Sequence, residues 1–181
     1  ELETGRTSTI THHIMGFDEE GNVINEKAKK NHLTSRDIVL ESKKVITFAD
    51  LCGHEKYLRT TIYGMSSVLP DYAMILVGGN MGVSKMTKEH MGICLSLKIP
   101  IIIIITKIDI APKNKLDETI ATITRLLKLP GVRKVPYLIK KHDDIALVAK
   151  NVPNDNIVPI FQISNVSGEG IENLKTFYNL I

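Results

Sequence analysis

The sequence predicts an α/β fold: a mostly parallel sheet with helices on both faces. Three observations predict it. Four short runs rich in Ile and Val, residues 45–49, 73–77, 99–105 and 158–163, each end in a polar or Gly-containing turn. Helical spacing fills the stretches between them, most clearly where Leu116, Ile120, Ile123 and Leu127 recur at four, three and four residues. The run 99–105 is the longest apolar one, too short to span a bilayer and suited to a buried strand. Buried strands alternating with helices build a sheet covered on both sides, and ligands of such sheets bind beyond the strands' carboxyl ends.

The elements follow in order. Residues 11–17 and 37–40 read as strands, with Asp18-Glu19-Glu20-Gly21-Asn22 as the turn after the first and the polar stretch 25–36 as a surface loop. Residues 87–97 and 171–180 have helical spacing. The helix carrying the Leu116–Leu127 stripe takes Asn114 as its cap, has Asp117 and Glu118 near its positive end, and stops at Pro130-Gly131. Residues 134–149 read as an insertion with a short strand near 137–139.

Composition narrows the class. At 181 residues the chain fits one domain with a substantial core, and 43% hydrophobic with 24% charged residues is ordinary for a globular protein. Two cysteines cannot make a disulfide framework, which points to a reducing, cytoplasmic setting. A net charge of +3 does not by itself argue for nucleic acid. His12, His13, His32, His90 and His142 are scattered without metal-ligand spacing.

Three motifs carry chemistry. Asp50-Leu51-Cys52-Gly53-His54-Glu55 follows the strand at 45–49. The Asp50 carboxylate can hold a metal-bound water, the Gly53 N–H can approach a terminal phosphate unobstructed, and His54 would sit beside an attacking water. Thr106-Lys107-Ile108-Asp109 follows the run 99–105. A carboxylate there can accept two hydrogen bonds from guanine N1 and N2, which adenine cannot offer, and the lysine methylenes can lie across the base. Ser164-Asn165-Val166-Ser167-Gly168 follows the last strand, where backbone N–H groups can bond the guanine carbonyl and the Ser164 hydroxyl can buttress the loop. Each motif alone is equally an ordinary turn. Their order, D-x-x-G, then x-K-x-D, then S-x-x-S, each ending a strand taken to lie in one sheet, points to a single crevice.

With these residues the chain resembles a translational GTPase domain of the class of elongation factor 1-alpha and elongation factor Tu. Within that class it is most similar to the GTP-binding protein 1 and 2 family. The similar segments are Glu3-Thr4-Gly5-Arg6-Thr7-Ser8, Gly53-His54-Glu55-Lys56-Tyr57-Leu58, Met86-Thr87-Lys88-Glu89-His90, Thr106-Lys107-Ile108-Asp109 and Pro159-Ile160-Phe161-Gln162-Ile163-Ser164-Asn165-Val166. The resemblance implies a P-loop-GTPase-type three-layer sandwich that hydrolyses GTP to GDP and phosphate with Mg²⁺. It implies Thr7 as the switch I metal ligand, with Thr9 as the alternative, Asp50 as the second metal group, and His54 as the residue orienting water. Asp50, Gly53, Thr106, Lys107, Asp109, Ser164, Asn165 and Val166 would bind the nucleotide, and residues 55–67 would form the switch II helix. Thr106 replaces the commoner asparagine, a variant typical of this group, and loses an amide that tethers neighbouring loops.

The implied partners are the ribosome, transfer RNA or another RNA, and neither DNA nor a membrane. The implied phosphate-binding loop G-x-x-x-x-G-K-[ST] is not found, since no glycine is followed by lysine. The chain is therefore expected to be a fragment running from switch I to the last helix of the GTP-binding domain, without the β-barrel domains of its class. The alternative expectation is a non-catalytic binding module that keeps the fold and holds nucleotide poorly.

Overall fold

The computed structural model describes residues 7–25, 34–154 and 156–181. The chain forms two compact units, Glu1–Leu69 and Pro70–Ile181.

In the first unit, β1 (Thr11–Phe17) pairs antiparallel with β2 (Lys44–Asp50), in a register running from Thr11 opposite Asp50 to Phe17 opposite Lys44. The turn at 18–22 forms because the Asp18 carboxylate accepts the N–H groups of Glu20 (3.0 Å) and Asn22 (2.8 Å). The Asn25 side chain ties back to β1, donating to the Ile14 carbonyl and accepting from the Gly16 N–H. Of the loop expected at 25–36, residues 26–33 lie outside the described residues, and Ser35 and Arg36 are helical.

Residues 37–40, expected as a strand, belong instead to a helix, α1 (Ser35–Glu41). The reason is local. The Thr34 hydroxyl accepts the Asp37 N–H, and the Asp37 carboxylate accepts the Thr34 N–H at 2.9 Å, a reciprocal cap that starts a helix. The Thr34 hydrogen bonds also hold the Asp37 carboxyl below its usual pKa. Beyond β2 comes a 3₁₀ turn (Glu55–Tyr57) and α2 (Leu58–Val68), together covering the segment expected as one helix from residue 55.

The second unit holds four parallel strands: β3 (Ala73–Gly78), β4 (Ile101–Thr106), β5 (Val135–Leu138) and β6 (Ile157–Gln162). Their order is β3-β4-β6-β5. Ile101, Ile102, Ile103, Ile104 and Ile105 are each at most 3% exposed. Successive strand residues point to opposite faces, so both faces of the sheet are covered there. The covering helices are α3 (Lys85–Ser96), α4 (Lys113–Leu127), α5 (Asp143–Asn151) and α6 (Ile171–Leu180). The core includes Ile123 and Leu127 from α4, Ile145 and Val148 from α5, and a tilted Phe161–Phe177 ring pair 5.0 Å apart. Each such side chain contributes about 1.5–3 kcal/mol on leaving water. Burial also pushes the Cys94 thiol up to about 11, so it stays protonated at neutral pH.

Two expectations are corrected in this unit. Asn114 does not cap α4. Pro112 holds that place with φ −58° and no side-chain cap, and its carbonyl accepts from Lys115 (2.9 Å) and Leu116 (3.0 Å). Proline's fixed φ starts the helix without a capping side chain and moves Asn114 into the first turn. Residues 134–149 contain the short strand expected near 137–139, as β5, but it is part of the sheet rather than of an insertion. β5 pairs in parallel with β6 from Val135–Ile157 to Leu138–Ile160, and α5 packs beside α6. Among the described residues no helix is long and apolar enough to cross a membrane.

One glycine fixes how β6 passes into α6. Gly170 has φ 75°, and a Cβ there would collide with the Gln162 carbonyl. Gly170→Ala is expected to destabilise the fold by about 2 kcal/mol or more, read as a lower denaturant midpoint; an unchanged midpoint would contradict this packing.

Candidate functional site

Parallel strands bring their carboxyl ends to one edge, and the residues that follow β4 and β6 meet there. The Ile163 N–H donates to the Ile105 carbonyl at 2.8 Å, and the Ile108 N–H donates to the Ile163 carbonyl at 3.4 Å. The loops beginning at Thr106 and Ser164 are thus laced together by backbone.

The first loop turns sharply. Lys107 adopts a left-handed φ of 60°, uncommon for a side-chain-bearing residue, and this lets the next N–H reach back to Ile163. Asp109 is exposed and makes no hydrogen bond or ion pair among the described residues. Both its oxygens are available as acceptors.

The second loop is built around a fully buried hydroxyl. Ser164 is 0% exposed, and its Oγ accepts the N–H groups of Val166 (3.2 Å) and Ser167 (3.1 Å). Its carbonyl accepts from Gly168 and its N–H donates to Glu169, both at 3.0 Å. The Val166 N–H is therefore occupied, while the Asn165 N–H has no partner among the described residues. The Val166 side chain is 87% exposed beside it.

Thr7, Asp50, Gly53 and His54 belong to the first unit. The Thr7 hydroxyl donates to Asp50 Oδ2 at 3.4 Å. Two hard oxygen groups this close are of the type that could hold a Mg²⁺. Among the described residues there is no group of three or more His, Cys, Asp or Glu that would hold a metal unaided. A Cβ on Gly53 would meet nothing within 4 Å, so packing within the chain does not call for glycine there. What glycine leaves open is the approach to its own N–H. The preceding residue is anchored, because Thr61 Oγ1 donates to the Cys52 carbonyl at 2.6 Å. His54 is exposed, and its Nδ1 accepts the Lys56 N–H at 3.1 Å, which leaves the neutral ring's proton on Nε2.

The expectation that all three motifs end strands of one sheet is corrected. Among the described residues β2 pairs with β1 alone in a two-stranded sheet, whereas β4 and β6 belong to the four-stranded one. The x-K-x-D and S-x-x-S loops share a scaffold; the D-x-x-G loop stands in the other unit. The Glu3–Arg6 part of the first similar segment lies outside the described residues.

Sequence reading passed over the loop after β3, Gly78-Gly79-Asn80-Met81-Gly82. The Gly79 N–H donates to the Thr106 carbonyl at 2.8 Å, and a Cβ on Gly79 would stand 3.1 Å from that oxygen. The available signal was three glycines in five residues at a strand's carboxyl end, where the backbone must approach a neighbour closely.

The fold and these loops define a nucleotide-binding α/β domain of the translation-factor type. The chain belongs to the family of the elongation factor Tu GTP binding domain, whose model matches residues 1–180. It is 48% identical to GTP-binding protein 1 of Xenopus laevis over 184 residues, covering all of this chain and 28% of that protein. It is 42% identical to human GTP-binding protein 2 over 182 residues, again covering all of this chain and 30% of the relative. The chain thus spans under a third of the length of these relatives. Among solved structures, translation elongation factor SelB of Methanococcus maripaludis, in complex with the GTP analogue GppNHp, superposes with a TM-score of 0.53. That match has 27% identity and covers 74% of this chain and 24% of SelB. A bacterial selenocysteine-specific elongation factor matches 98% of this chain and 22% of its own at TM-score 0.58 and 20% identity, a likeness of fold.

Removing the buried Ser164 hydroxyl unties the two loop N–H groups that it accepts. Ser164→Ala is expected to cost about 1–3 kcal/mol of stability, measured by denaturant unfolding; a change below about 0.5 kcal/mol would mean the loop does not depend on that hydroxyl.

Proposed function

We propose that the protein binds GTP and hydrolyses it to GDP and phosphate, as a translation-factor-type GTPase acting with the ribosome or another RNA in the cytoplasm. The observation that carries this reading is Asp109: an exposed, unpartnered carboxylate on a loop strapped by backbone to the Ser164 loop. Membership of the elongation factor Tu GTP binding domain family supports it, as does the SelB relative described with a GTP analogue.

In this reading Asp109 accepts guanine N1–H and the N2 amine, and the Lys107 stem covers one face of the base. The open Asn165 N–H donates to the guanine carbonyl, beside the exposed Val166 side chain. Ser164 and Thr106 shape the two loops. Gly53 offers its N–H to the terminal phosphate. The Thr7 hydroxyl and, through water, Asp50 would hold Mg²⁺, which when bound would supply positive charge beside the phosphates. His54, with Nδ1 engaged by the Lys56 N–H, orients the attacking water through Nε2. Catalysis is positioning and electrostatics, with a partner raising a slow intrinsic rate.

Asp109→Asn in the full-length protein is expected to exchange preference from guanosine to xanthosine nucleotides in competition binding. Unchanged GTP preference would remove Asp109 from the base site. His54→Ala is expected to slow single-turnover hydrolysis by more than about tenfold while GTP affinity stays within a few-fold; an equal loss of binding would make His54 structural.

A further inference from the structure

The loop between β3 and α3 carries an unsatisfied group beside the base-reading loop. Asn80 Oδ1 is buried and has no hydrogen-bond partner among the described residues. A buried acceptor without a donor is unfavourable, and native structures keep few of them. This acceptor lies at the carboxyl end of β3, the strand whose Gly78 stands in register with Thr106 of β4. The backbone on either side is already committed. The Gly79 N–H holds the Thr106 carbonyl, and the N–H groups of Met81 (3.1 Å) and Gly82 (2.8 Å) close on the Gly78 carbonyl.

Space around the loop is equally restricted. A Cβ on Gly79 would stand 3.1 Å from the Thr106 carbonyl and 3.2 Å from Ala111 Cβ; one on Gly82, where φ is 80°, would press on Lys115 and Thr119 of α4. The loop is a strut between β3, the Thr106 turn and the start of α4. The Thr106 carbonyl is thus engaged by Gly79, while the Thr106 hydroxyl makes no hydrogen bond among the described residues. An unused donor at the last residue of β4 and a buried, unused acceptor two residues past the end of β3 thus follow neighbouring strands, joined by the Gly79–Thr106 backbone bond.

We propose that Asn80 is a positioning residue of the nucleotide site: Thr106 Oγ donates to Asn80 Oδ1 when guanine nucleotide binds. That bond locks the turn bearing Lys107 and Asp109 in its base-reading shape. Asn80 touches no reacting atom and acts through Thr106. The proposal rests on the guanine-site reading above and adds to it the residue that makes threonine serviceable at position 106, where a longer amide would reach neighbouring loops itself.

The test is a double-mutant cycle on GDP affinity in the full-length protein, with Asn80→Ala, Thr106→Val and both together. Each single change is expected to weaken GDP binding about fivefold, as for loss of one neutral hydrogen bond, and the double change no more than either alone. The nucleotide-free melting temperature of Asn80→Ala should be equal to wild type or higher, because the change deletes an unsatisfied group. Single effects that multiply in the double variant would overturn the proposal. So would Asn80→Ala binding GDP within twofold of wild type, or melting clearly lower without nucleotide. Asp109→Asn serves as the separate control: if it fails to move preference to xanthosine nucleotides, the guanine-site reading itself falls, whatever the cycle shows.

Discussion

The backbone pairing of β4 with β6 is the interaction on which the candidate site depends. Parallel strands are bonded evenly along their length, so their carboxyl ends keep a fixed offset. Here the ladder continues past the strands, through Ile163 to Ile105 and Ile108 to Ile163. The two loops therefore cannot shift independently without breaking bonds at a buried edge. The five isoleucines of β4, buried on both faces, hold the strand itself. A carboxylate at Asp109 and an N–H at Asn165 keep their spacing because of that ladder, while the Ser164 hydroxyl keeps the second loop closed.

The two units differ in how firmly they hold their functional groups. In β4 the turn follows five buried isoleucines; in β2 no residue is buried, and among the described residues the strand has one neighbour. Elements with little burial sit at the low end of local stability, from which moving parts are drawn. In the proposed reading, the paired loops after β4 and β6 hold the base, and the Asp50–His54 segment, which follows the less buried strand, is the part that moves. The first must persist through the cycle, and the second must respond to the γ-phosphate. The bonds from Thr61 to Cys52 and from Lys56 to His54 are the local ties that such a response would strain.

Much of this was legible in the residues, and the exceptions have physical causes. Continuous apolar runs identified β3, β4 and β6, and the Thr11–Phe17 strand and the 171–180 helix have the limits expected. The segment 37–40 misled because a short apolar run has no decisive period; the Thr34–Asp37 cap, which does decide it, was visible but unweighed. β5 was expected as a short strand near 137–139, but its four residues and partial burial hid that it belongs to the main sheet. Three motifs were recognisable, yet sequence cannot say which strands hydrogen-bond, so the place of β2 outside the four-stranded sheet was not readable. Asn80 was invisible for another reason. Its interest lies in a missing partner, which only coordinates reveal.

The central claim is that guanine nucleotide is read by the paired loops after β4 and β6. Backbone hydrogen exchange of the full-length protein, with and without GDP, tests it most directly. The account predicts slowed exchange at residues 106–109 and 164–168, greatest at the Asn165 N–H, which has no partner among the described residues. Exchange unchanged in both loops under saturating GDP, with protection elsewhere, would contradict it.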